Sequence, residues 1–169
     1  MLSISSKTVS GSTIKFLPSS LSLNIFVASS NNILVSASYQ GNITAIDLQQ
    51  GQVAWQEKIS SIHDLAVVRS RIIAIDEKDS IKGFGLTSGA ILWQQDGLKL
   101  RGISSPAALG SNFVVGDFEG YLHALSQVDG HIVARTRLSS DGIRVDLLAA
   151  NDLILAYSND GELAAYRLQ

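Results

Sequence analysis

The 169 residues include no cysteine. That excludes a disulfide framework, a thiolate metal site and a thiol nucleophile. Charge is sparse and nearly balanced, with 17% charged residues and a formal net charge of −2. Binding nucleic acid needs Lys and Arg clustered against phosphates, and no basic stripe is present. No run of about 18 apolar residues occurs, so no transmembrane helix is written here. No window sustains a 3.6-residue apolar period, which argues against a helical domain. The opening stretch, MLSISSKTVSGSTIKFLPSS, lacks a basic segment followed by an apolar core and does not read as a signal peptide. Residues 1–20 are expected to be a poorly ordered, Ser-rich segment.

What is present is a repeat. Residues 41–55 read GNITAIDLQQGQVAW, residues 79–93 read DSIKGFGLTSGAILW, and residues 120–134 read GYLHALSQVDGHIVA. A further copy, GELAAYRLQ, begins at Gly161. The first strand residues after each turn are Ile43, Ile81, Leu122 and Leu163, at steps of 38, 41 and 41. A second glycine keeps phase at Gly51, Gly89 and Gly130, and the closing position is Trp55, Trp93 and then Ala134. A period of about 40 residues marks an array of supersecondary units.

Each unit alternates apolar with polar residues over short segments between turn signals, which is strand periodicity. Gln40-Gly41, Glu119-Gly120 and Asp160-Gly161 predict two-residue type I′ turns, with Lys78-Asp79 in the second copy. The spacing therefore predicts four-stranded antiparallel blades at about 21–60, 61–99 and 100–140. A fourth, at 144–169, lacks its outermost strand. The fold class is an all-β propeller with about 3.75 blades. Apolar residues make up 46% of the chain, enough for a sizeable core. Residues 12–17, STIKFL, are a weak candidate for the missing strand. Trp55 and Trp93 are expected to pack between neighbouring blades.

The catalytic candidates are weak. His63, His123 and His131 fall in different repeats, with His63 assigned to a first strand and His123 to a third, and nothing converges them on a metal. Asp47 is expected to cap its own turn. Gly83-Phe84-Gly85 is too short for a phosphate loop and instead marks a bulge or a close backbone approach. Lys99 and Arg101, in the longer loop between blades, are candidate rim contacts for an acidic partner. No catalytic, cofactor-binding or metal residue is assigned, and no cofactor is expected. Exposed faces of terminal blades invite self-association.

The pattern of Ala45, Asp47, Gly51 and Trp55 resembles the repeat of quinoprotein-like (PQQ-type) propellers. Over residues 30–168 the wording is closer to the C-terminal half of the outer membrane assembly lipoprotein family, BamB, most specifically in VVGDFEGYLHAL at 114–125. The resemblance implies an arc of an eight-bladed ring on the periplasmic side of the outer membrane. It implies a non-enzymatic scaffold of the β-barrel assembly (BAM) machinery that binds periplasmic domains of the barrel subunit. That family carries a signal peptide and a lipid-attached cysteine. If the chain is complete, their absence predicts cytoplasmic retention of a truncated or degenerate copy. An acidic pair that the family uses for partner contact corresponds to Ser22 and Asn24, which carry no carboxylate, so no binding residue is carried over. The alternative is a quinoprotein-like fragment of another or lost function, including an enzyme remnant.

Overall fold

A computed structural model describes residues 25–30 and 32–168. The chain forms four antiparallel sheets in sequence, with no helix among the described residues. The first holds β1 (Ile25–Ser30), β2 (Ile33–Ser38), β3 (Asn42–Asp47) and β4 (Gln52–Lys58) in chain order. The second holds β5 (Ala66–Val68), β6 (Arg71–Ile75), β7 (Ile81–Gly85) and β8 (Ile91–Gln95). The third holds β9 (Ala107–Leu109), β10 (Asn112–Gly116), β11 (Tyr121–Ser126) and β12 (Ile132–Arg137). The fourth has three strands, β13 (Leu148–Ala150), β14 (Leu153–Tyr157) and β15 (Leu163–Tyr166). The innermost strands β1, β5, β9 and β13 follow one another as neighbours, so the sheets stack as the blades of a propeller.

The core is not inside any sheet but between sheets. Ile33, Val35, Ile43 and Ala45 of the first blade pack on Ile72, Ala74 and Phe84 of the second. The opposite side of the second blade, with Ile73, Ile75 and Ile81, packs on Phe113, Val115 and Leu125 of the third. Val114, Leu122 and Ala124 then meet Ile154 and Ala156 of the fourth. A middle strand buried on both sides reads as continuous apolar sequence, and RIIAI in β6 is such a run. Ile43, Ile81 and Leu122 occupy equivalent seats, each facing the next blade. Leu163 has the same register position and is 68% exposed.

The turns differ from the type I′ reading. In three blades a three-residue loop is used: Asp79, Gly120 and Gly161 alone take left-handed φ, and each donates its amide to the carbonyl of Asp76, Asp117 or Ser158. This is a turn followed by a single left-handed residue, which needs only one permissive position. In the first blade the left-handed residue is Gln40 and not Gly41. A β-bulge recurs in every complete blade, at Ala45/Ile46, Gly83/Phe84 and Ala124/Leu125. It places Trp55, Trp93 and Ala134 opposite Ala45, Gly83 and Ala124. Residues 1–24, including STIKFL, Ser22, Asn24 and part of the first blade as predicted, lie outside the described residues.

Candidate interaction surface

Each blade presents two ends. One carries the turns between second and third strands and the crossovers to the next blade. These two kinds of segment are braced together with a 41-residue period. The amides of Glu77, Phe118 and Asn159 donate to the carbonyls of Ser60, Arg101 and Gly142. Nearer the axis, the Asp64 amide donates to Ser105 Oγ at 3.0 Å, and the Ser105 amide donates to Asp146 Oδ1 at 2.9 Å. The crossover face is therefore a rigid rim built from loops.

The strongest polar centre on this face is Asp117, whose side chain is wholly buried. Its Oδ1 accepts the amides of Glu119 at 3.0 Å and Tyr121 at 2.9 Å, closing the turn. Its Oδ2 accepts Arg101 Nε at 2.8 Å, Arg101 Nη2 at 2.6 Å and His123 Nε2 at 2.8 Å. Burial pushes this carboxyl up, but the bonds from His123, the Tyr121 amide and Arg101 together hold it below the usual range. Burial also lowers His123, against the pull of Asp117, so the imidazole is neutral and donates from Nε2. Its Nδ1 is buried with no partner. Bonds to Glu119 and then Asp117 raise the Arg101 guanidinium.

The second blade repeats the device with other residues. Asp76 Oδ1 accepts the amides of Lys78 at 2.9 Å and Ser80 at 3.0 Å, and Lys82 Nζ lies 3.3 Å from Asp76 Oδ2. Lys82 and His123 are equivalent positions. In the fourth blade Ser158 stands for the aspartate and accepts the Glu162 amide, with Ala164 where Lys82 and His123 stand. Sequence reading missed this pairing because it followed the glycines and not the residue three before them.

The predicted site residues fall as follows. Lys99 is on the rim, paired with Asp96 at 2.8 Å and about two-fifths exposed. Arg101 is drawn inward to Asp117 and Glu119, with its guanidinium 5.5 Å from the Phe118 ring centre. His63 lies in a crossover and not in a strand, 3.9 Å from Asp79, and burial lowers its pKa. His131 pairs with Asp129 at 2.6 Å at the opposite end of the blade. Among the described residues no three metal-ligating side chains converge. Asp47 Oδ1 accepts the amides of Gln49 and Gln50, which caps its turn.

Between Lys99 and Arg101 sits Leu100, which the sequence did not single out. It is 78% exposed and holds a left-handed φ of 58°. Tyr39, Ile62, Phe118 and Val145 are exposed on the same face, from four different loops.

Trp55 stacks on Phe84 of the next blade with ring centres 6.5 Å apart, and its Nε1 donates to the Leu86 carbonyl at 2.9 Å. Trp93 stacks on Phe113 at 6.1 Å and donates to the Gln127 carbonyl at 2.9 Å. Gly89 and Gly130 lie beneath these rings, where a Cβ would stand 2.6 and 2.5 Å from ring atoms. Gly83 lies equally close under Trp93.

The family model described as outer membrane protein assembly factor BamB matches residues 77–169. The chain belongs to that family. The BamB of Pseudomonas aeruginosa is 39% identical over 140 residues, covering 83% of this chain and 37% of that protein. The BamB of Escherichia coli K12 is 36% identical over 131 residues, covering 78% of this chain and 33% of that protein. The chain thus spans about a third of the length of the curated relatives it matches. The crystal structure of BamB from Moraxella catarrhalis superposes with a TM-score of 0.78 at 25% identity, over 84% of this chain and 42% of that one. The computationally designed Ika4 protein superposes with a TM-score of 0.75 at 18% identity over 94% of this chain and 99% of its own, a likeness of fold alone.

Proposed function

We propose that this chain is a non-catalytic scaffold module of the outer membrane β-barrel assembly machinery. It works on the periplasmic side of the outer membrane and docks periplasmic domains of the barrel subunit on its crossover face. Residues 21–169 act as one run of propeller repeats, an arc of a longer ring. The observation that carries the docking face is Leu100. A branched apolar side chain in left-handed backbone costs roughly 1–2 kcal/mol. Here it also points its apolar surface at water. Strain of this kind persists where function requires it, and the loops around it are braced enough to hold it. Tyr39, Ile62, Phe118 and Val145 supply further apolar contacts, and Lys99 flanks them for an acidic partner. Arg101 contributes by fixing the turn that carries Phe118. The polar centre at Asp117 supports the non-catalytic reading, because its carboxylate is spent on internal donors.

The test is co-precipitation with the periplasmic domains of the barrel subunit. Binding by the intact chain is expected. Leu100→Gly removes the side chain at a position whose φ glycine adopts freely. It is expected to weaken binding about tenfold or more, as a central apolar contact does, without loss of stability. Failure of the intact chain to bind where a full-length relative binds would remove the scaffold reading. Unchanged binding by Leu100→Gly would move the site off this face. The outward face of the fourth blade, with Leu148, Tyr157 and Leu163 exposed, supports a second proposal, that copies of the chain associate through it.

A further inference from the structure

Two of the three junctions between blades are closed by an indole. At the third, between the third and fourth blades, the closing residue is Ala134. Much of the remainder of the seat is present, although no glycine among the described residues stands where Gly89 and Gly130 lie beneath the two tryptophan rings. Ala134 stands opposite Ala124 beside the same bulge that places Trp55 and Trp93. The carbonyl that Trp93 reaches, Gln127, lies 34 residues on; the residue 34 beyond Ala134 is Leu168. The aromatic floor is also kept. Phe84 pairs across the strands with Ile72, and Phe113 with Leu125, so one member of that pair is aromatic at both tryptophan junctions; in the fourth blade the pair is Ile154 and Tyr166. A half-open cavity of about 190 Å³ occupies this place, lined by Leu122, Ala124, Ala134, Ile154, Tyr166 and Leu168 among others. An apolar cavity of ~150 Å³ is large enough to take benzene.

We propose that this cavity is a binding site for a small neutral planar aromatic of the indole type. The ligand lies where the ring of a tryptophan at 134 would lie, between Ala124 and Tyr166, and donates its N–H to the Leu168 carbonyl. Arg135 lines the cavity wall, and its guanidinium is held 4.4 Å above the Tyr121 ring. The inference rests on the repeat geometry and is independent of any partner on the crossover face.

Indole is the probe, titrated into the whole chain and followed by amide and methyl NMR. Saturable binding of one indole is expected, with shifts confined to Ala134, Ile154, Tyr166, Leu168 and their neighbours. 1-Methylindole, which lacks the donor, is expected to bind about 2- to 10-fold more weakly, the share of one hydrogen bond. Ala134→Trp fills the seat from within and is expected to cut indole affinity more than about tenfold. Absence of saturable binding at low-millimolar indole overturns the proposal, as do shifts centred on another junction. Equal affinity for 1-methylindole overturns the pose. If Ala134→Trp does not fold, the shift map on the unmodified chain decides alone.

Discussion

Replacing Trp93 by alanine tests the claim that blades are held by their junctions. The indole makes three contributions. Its hydrogen bond to the Gln127 carbonyl contributes about 1 kcal/mol. Its stack on Phe113, nearly parallel with 7° between planes, contributes about 1 kcal/mol beyond area. The third is apolar burial over Gly83 and Gly130, neither of which has a side chain to move into the gap. A fully buried Trp→Ala change costs about 3–5 kcal/mol, and Trp93 is partly exposed, so about 3 kcal/mol is expected. Trp93→Phe keeps the stack and loses the donor, and about 1 kcal/mol is expected. Urea unfolding measures both, with Trp55 as the remaining fluorophore. With m near 2 kcal/mol/M, the midpoint should fall by about 1.5 M for Trp93→Ala. Ile91→Ala, at an exposed position of the same strand, should stay within about 0.5 kcal/mol. A Trp93→Ala cost below about 1 kcal/mol, or equal costs for Trp93→Ala and Trp93→Phe, would refute the junction argument.

Asp117→Ala strands Arg101 and His123 around a buried hole and should cost about 3–5 kcal/mol by urea unfolding, while Asp117→Asn, which keeps the Oδ1 turn bonds, should cost less. His123 and His63 both have folded-state pKa values below their ordinary 6.5, so the stability they contribute is present above about pH 6.5 and is lost as pH falls through the folded values. Urea midpoints between pH 7.5 and 5 should therefore decline, and His123→Gln, which keeps a donor to Asp117, should flatten the slope; an unchanged slope sinks the assignment. Gly130→Ala sets a Cβ against the Trp93 ring in left-handed backbone and should lower the melting temperature by several degrees. Leu163→Lys on the outward face of the fourth blade should shift sedimentation towards monomer, and an unchanged profile would place any self-association elsewhere.

The blade plan was legible because it rests on spacing. Hairpins keep a fixed register between Ile43 and Trp55 and between Ile81 and Trp93, and a slip of one residue would turn Ile43 or Ile81 from the junction to water. The close approach at Gly83 was legible for a related reason, since a glycine inside a strand weakens it and is kept where another group must come close, here the Trp93 ring. The turn type was not. One left-handed residue suffices in these loops, and it is Asp79 in the second blade and Gln40 in the first, where no glycine marks it. The Asp117 centre was hidden because its partners lie 16 residues before it and 6 after it, and only the bend of the crossover brings Arg101 back. Leu100 was invisible for the opposite reason: nothing in LKLRG marks the middle residue as left-handed or exposed.

The departures from the repeat are coupled, and that coupling separates drift from design of the individual blade. Where the turn residue is Asp76, the neighbouring strand supplies Lys82; where it is Asp117, it supplies His123, and the crossover adds Arg101. Where it is Ser158 the strand supplies Ala164, because an uncharged cap needs neither a counter-charge nor a second donor from the strand. A buried carboxylate such as Asp117 would cost several kcal/mol without its partners, so a change there is expected to need matching changes at Arg101 and His123. Ala134 breaks this rule. The tryptophan is gone, but Tyr166 still offers its ring and Leu168 still lines the seat. A junction that had merely relaxed would have exchanged its floor for larger aliphatic side chains and closed the gap, since packing tolerates few voids of this size. That the floor is kept while its ring is missing is the reason to look for something that enters from outside.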